Sequence, residues 1–181
     1  MIRKMNKKES LVLSKLSGRD RRSIGHSNDV VSEVLKNQRL FGDVFEGMLS
    51  TNPIIRMRSA DATEKITALH PEYLFPFKHK LIYHIAKIQQ QEVQWHVAQM
   101  LPRLNLTEKE CNDIIEILVG YTKTSHSSIV RTFAMQALAD IAERRVDFRS
   151  RALRLIERLT ENGTPAMRNR GRKLLMKLKE V

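Results

Sequence analysis

The stretch SIVRTFAMQALADI, residues 128–141, follows Ser127 with small and apolar residues at helical spacing behind Val130-Arg131. The same pattern opens at Ile55-Arg56, Val93-Gln94 and Met167-Arg168, at successive spacings of 38, 37 and 37 residues. Counting from Arg56, Gln94, Arg131 and Arg168, small or apolar residues recur three on (Ser59, Val97, Ala134, Gly171) and six on (Ala62, Met100, Ala137, Leu174). They recur again seven on (Thr63, Leu101, Leu138, Leu175) and ten on (Ile66, Leu104, Ile141, Leu178). A fixed period of this length marks stacked helical units, none of which can bury its apolar stripe alone.

Capping chemistry delimits the units. Asn52-Pro53 and Thr164-Pro165 each place a side-chain acceptor before a proline, which at the first helical position loses no hydrogen bond. Ser127-Ser128 takes the same place in the third unit, and Thr107 to Glu110 reads as a capping box. First helices are predicted over 53–68, 91–104, 128–143 and 165–179, and second helices over 73–90, 108–122 and 147–161. Upstream, Leu40, Phe41, Val44, Phe45, Met48 and Leu49 form one helical stripe, preceded by a shorter helix over 29–36 behind Ser27. Leu11 to Leu16 reads as the end of a short helix, and residues 17–26, with two glycines and three arginines, as a loop.

On these residues the segment 52–180 resembles HEAT repeats, whose first helix begins near a proline and carries Val-Arg followed by spaced Ala and Leu. Gln94 in place of the usual arginine and Pro102 late in a first helix depart from the family pattern. The resemblance implies an all-α fold, a right-handed superhelical solenoid of stacked antiparallel helix pairs. It divides the chain into a basic, partly irregular segment 1–26 and a solenoid 27–181. Within the solenoid, 27–51 is a degenerate capping repeat, followed by units starting near 52, 90, 127 and 164. It also implies that Arg56, Arg131 and Arg168 support packing between units, and that second helices line a concave binding surface. The family's common role is binding proteins or, less often, nucleic acids, with no chemistry attached.

At 181 residues with 41% hydrophobic content but 6% aromatic, packing falls to small aliphatics. The N-terminus lacks the apolar run of a signal peptide, and the expectation is a soluble, cytoplasmic chain without a membrane span. Cys111 is the only cysteine, which excludes a disulfide or a Cys-based zinc site within one chain and suits a core position in a reducing compartment.

Charge is unevenly spread. Of the net +12, residues 1–22 carry +6 and residues 144–181 carry +8, leaving −2 between them. That segregation points to a polyanionic partner. On the predicted helix 147–161, Arg151, Arg154 and Arg158 share one face opposite Phe148, Ala152, Leu155, Ile156 and Leu159. Such a ladder could hold carboxylates or phosphates bidentately, the alternative being a solvated face. Arg144, Arg151, Arg154, Arg158, Arg19, Arg21 and Arg22 are the candidate partner-binding residues. Arg170, Lys173 and Lys177 form a second basic row, read as solvated.

The expected function is a non-catalytic scaffold recognising an acidic protein partner, with no cofactor. Sequence-tolerant nucleic-acid backbone binding is the alternative. Aromatics are too few near the basic residues for single-strand stacking. Some HEAT-like solenoids excise alkylated bases from DNA with an aspartate beside tryptophans; here Trp95 stands alone, which makes a DNA glycosylase the minor reading. Glu92 and His96 lie four apart on one helix without a third ligand at matching spacing, so no metal site is expected. Oligomeric state is left open, although Met176 at the final helix could meet a partner or a second copy.

Overall fold

The computed structural model describes residues 7–20 and 23–180. Among them there are ten α-helices, short 3-10 turns and no strand. No described helix is long and apolar enough to cross a membrane. The chain divides into two compact units, Met1–Val97 and Ala98–Val181.

The first unit holds α1 (Lys7–Lys15), α2 (Ser27–Lys36), α3 (Phe41–Gly47), α4 (Pro53–Leu69) and α5 (Lys78–Tyr83). It also takes the part of α6 (Gln91–Met100) up to Val97. Helix α4 starts as its chemistry dictates: the Asn52 side chain accepts from the Ile54 N–H at 2.9 Å and Pro53 follows the cap. Helices α2 and α3 pack on α4, burying Val30, Val34, Val44, Phe45, Ala60 and Ile66. Phe45 meets Phe77 at 4.5 Å between ring centroids, and Phe41 meets Tyr73 edge-on at 5.4 Å, fastening α3 to the 3-10 segment Pro71–Phe77.

Three elements differ from expectation. The helix predicted over 73–90 is broken into the 3-10 segment Pro71–Phe77, the short α5 and a 3-10 turn at Ile85–Lys87. Pro76 has no N–H to donate, and its ring collides with the carbonyl four residues back. The helix predicted to reach 104 stops at Met100, and Pro102 sits in the 3-10 turn Leu101–Arg103. Helix α2, expected over 29–36 behind Ser27, begins at Ser27 itself, which is buried and donates its hydroxyl to Asp61.

The described residues of 17–26, namely 17–20 and 23–26, lie outside any helix, with a determinant on α4. Arg58, on α4 and only 4% exposed, donates Nε to the Ser23 carbonyl (3.1 Å), Nη1 to the carbonyls of Leu16 (3.3 Å) and Ser17, and Nη2 to that of Asp20 (3.1 Å). One planar group of five donors thus meets four carbonyls of one loop. Gly18 (φ 148°) and Gly25 (φ 54°) let the backbone come this close, since a Cβ at either would fall within 2.7 Å of the guanidinium.

The second unit adds α7 (Glu108–Thr124), α8 (Ser128–Arg144), α9 (Val146–Glu161) and α10 (Pro165–Glu180) to the end of α6. The capping box before α7 is complete: the Thr107 N–H donates to the Glu110 carboxylate at 2.8 Å, and the Glu110 N–H donates to the Thr107 hydroxyl at 3.3 Å. Helix α8 packs against α7, α9 and α10. The hydroxyls of Ser128 and Thr164, at the starts of α8 and α10, meet at 2.6 Å.

Within each unit the repeated offsets do one job. Every residue three, six, seven and ten on from Arg56, Gln94, Arg131 and Arg168 is buried except Leu175, which is half-buried. Two of the repeat arginines bond the turn before their own helix, and Arg56 also reaches Gln90, 34 residues on. Arg56 donates to the Ser50 carbonyl (2.9 Å) and to the Gln90 side chain (2.8 Å), and Gln90 donates back to the Pro53 carbonyl (2.9 Å). Arg168 donates to the Gly163 carbonyl at 2.9 Å. Each holds the turn before its own helix.

Arg58→Ala orphans four carbonyls, and the expected loss is about 3 kcal/mol in urea unfolding, with faster proteolysis within 17–26. Arg58→Lys should recover only part of it, because an ammonium cannot reproduce the fork.

Candidate polyanion-binding surface

Helix α9 buries Phe148, Ala152, Leu155 and Ile156 and turns Arg151, Arg154 and Arg158 outward, all three exposed. The six arginines of 144–158 are not equivalent. Arg144 donates to the Pro102 carbonyl. Arg145 grips Asp147 with two bonds, 2.8 and 2.6 Å, which raises the guanidinium's pKa and lowers that of the carboxyl. Arg149 donates to the carbonyls of Ala142 (3.4 Å) and Glu143 (3.3 Å), capping the end of α8. Arg151 pairs with Glu116 of α7 at 2.7 Å and lies 5.9 Å from the Phe148 ring centroid. Arg154 and Arg158 have no side-chain hydrogen bond or ion pair among the described residues.

Between Arg151 and the end of α9 the sequence offers two acids, Glu157 and Glu161. The structure adds Asp147, Glu116 and main-chain carbonyls, which absorb four of the six. Arg19, in the first unit, is exposed without an ion pair among the described residues, while Arg21 and Arg22 lie outside them.

The polar face of the first-type helices carries a motif that the sequence reading passed over. In the second unit the Gln136 amide donates to Asp140 at 2.8 Å, and its carbonyl oxygen accepts from Arg170 of the next first-type helix at 2.6 Å. In the first unit, Asp61 accepts from Lys65 at 2.8 Å, and His96 Nε2 stands 3.9 Å from its other oxygen. The same positions are used each time: five and nine on within a helix, and two on in the next. The signal was present as unbroken polarity at five on (Asp61, Gln99, Gln136, Lys173) and nine on (Lys65, Arg103, Asp140, Lys177).

Clefts follow this face. Trp95, His96, Asp61 and Glu92 line one of about 360 Å³ in the first unit. In the second, one of about 490 Å³ is lined by Gln136, Asp140 and Arg144 among others, and one of about 610 Å³ by Gln136, Arg170, Lys173 and Lys177 among others. Of the ladder, neither Arg151, Arg154 nor Arg158 lines any of the three. Burial raises the pKa of Asp140, partly countered by the Gln136 hydrogen bond. Lys177 pairs with Glu143, which raises the lysine's pKa. No cluster of three metal-ligating side chains occurs among the described residues.

No protein-family model, curated protein or solved structure matches the chain.

His96 offers a check on the polar face in the first unit. Burial lowers its pKa below 6.5, against the opposing fields of Asp61, Glu64 and Glu92 and with a smaller push from Lys65. Below pH 6.5 the unfolded chain therefore binds the proton first, so the folded state loses stability as pH falls from 6.5 toward the lowered pKa. His96→Gln should flatten that loss relative to the parent in urea titrations across the window.

Proposed function

We propose that the chain is a HEAT-like α-solenoid acting as a non-catalytic scaffold in the cytoplasm, docking an acidic protein segment through a basic concave surface on the exposed arginine face of α9. The carrying observation is that Arg154 and Arg158 stand exposed without a partner among the described residues, while their four neighbouring arginines are engaged. An exposed guanidinium without an internal partner gives up no protein contact on meeting a carboxylate and gains a planar, two-bond match. The buried thiol of Cys111 suits a reducing compartment.

The surroundings of α9 favour protein over nucleic acid. Glu116 of α7 already meets Arg151, and exposed Glu108 lies on the same helix. The exposed positive run from Arg151 to Arg158 covers about 10 Å of helix. A nucleic-acid backbone, with its charges continuing past that length, would meet these carboxylates. A short acidic segment seated on Arg154 and Arg158 alone need not reach them.

The test is fluorescence polarisation of a labelled polyglutamate peptide and a labelled DNA duplex across a salt series. Arg154→Glu/Arg158→Glu should weaken the peptide by at least about tenfold, roughly 1.4 kcal/mol, with unchanged thermal unfolding. Unaltered peptide affinity rejects the reading. Tighter binding of the duplex, with a salt slope falling by about 0.9 for each lost contact, would assign the face to nucleic acid instead.

A further inference from the structure

The geometry points to a second binding site, for a phosphate monoester dianion, in the cleft of about 610 Å³ between α8 and α10. Its lining contains Arg170, Lys173 and Lys177 and no carboxylate. These cations sit three and four residues apart and so share one face of α10.

Their charges are compensated unequally. Lys177 pairs with Glu143. Arg170 bonds only to the neutral Gln136 amide, at 2.6 Å, and Lys173 is exposed with no ion pair among the described residues. Two positive charges are left facing one cleft. A carboxylate would balance one of them, whereas a phosphate monoester near neutral pH carries a charge of about −1.5 to −2 and three acceptor oxygens.

The cleft is also organised before any ligand arrives. Gln136 is gripped at both ends, its amide by Asp140 at 2.8 Å and its carbonyl oxygen by Arg170, which fixes the guanidinium plane at the cleft wall. Asn169, exposed on the lining, supplies a neutral amide donor. The site uses α8 and α10 and shares no residue with the α9 face, so it stands or falls separately.

The experiment uses the full chain and isothermal titration with inorganic phosphate, a phosphoserine peptide and the same peptide with glutamate at that position. Phosphate-bearing probes should bind at least about tenfold more tightly than the glutamate peptide. Lys173→Gln, at an exposed position, and Arg170→Lys, which keeps the charge but loses the fork, should each remove most of that preference. Arg154→Glu/Arg158→Glu should leave it intact. A phosphopeptide that outcompetes inorganic phosphate identifies a phosphorylated partner as the source, and equal affinities identify the free anion. Equal binding of the phosphate and glutamate probes, no binding of phosphate probes at about 1 mM, or indifference to both substitutions overturns the proposal.

Discussion

Burial of one apolar stripe governs both units. Each first-type helix presents small or apolar residues at the same four offsets, and in the structure every one is withdrawn from water except Leu175, which is half-buried. A helix of this length is marginal alone, and nearly all its stability comes from packing such a face against neighbours. The offsets hold mostly alanine, leucine, isoleucine and methionine, with aromatics gathered instead near α3. Side chains of that size let helices approach closely, and the period cannot drift without exposing the stripe.

That constraint leaves the opposite face free, and the two units use it in the same way. Asp61 with Lys65 and His96 repeats the placement of Gln136 with Asp140 and Arg170, although the chemistry changes from an ion pair to an amide relay. The placement is retained while the side chains vary, so the two units present different chemistry at equivalent positions. Arginine serves both ends of this economy. Arg56, Arg58 and Arg168 are spent on carbonyls of turns and loops, while Arg154 and Arg158 are left to solvent.

The legible and illegible parts divide by range. Caps at Asn52, Thr107, Ser127 and Thr164 read correctly because each bonds within a few residues of itself. The helix predicted over 73–90 failed on a local rule given too little weight, the proline inside it. Ser27, expected ahead of its helix, is instead the buried first residue, and its hydroxyl bonds Asp61, 34 residues away. For the candidate site, the exposed face of α9 was visible from helical spacing, but which of its arginines remain unpaired was not.

By itself the sequence determined the all-helical class, the period of the repeat, the positions of most helix starts and the residues that make the core. Those follow from periodicity and from bonds closed within one or two turns, where chemistry and chain position coincide. Tertiary structure alone decided that Arg58 gathers the carbonyls of Leu16, Ser17, Asp20 and Ser23, that Glu116 takes Arg151, and that Gln136 aims Arg170 into a cleft whose lining has no carboxylate. In each case a charged or polar group finds its partner some 34 to 42 residues away, and such a pairing depends on how helices pack and leaves no mark in local spacing.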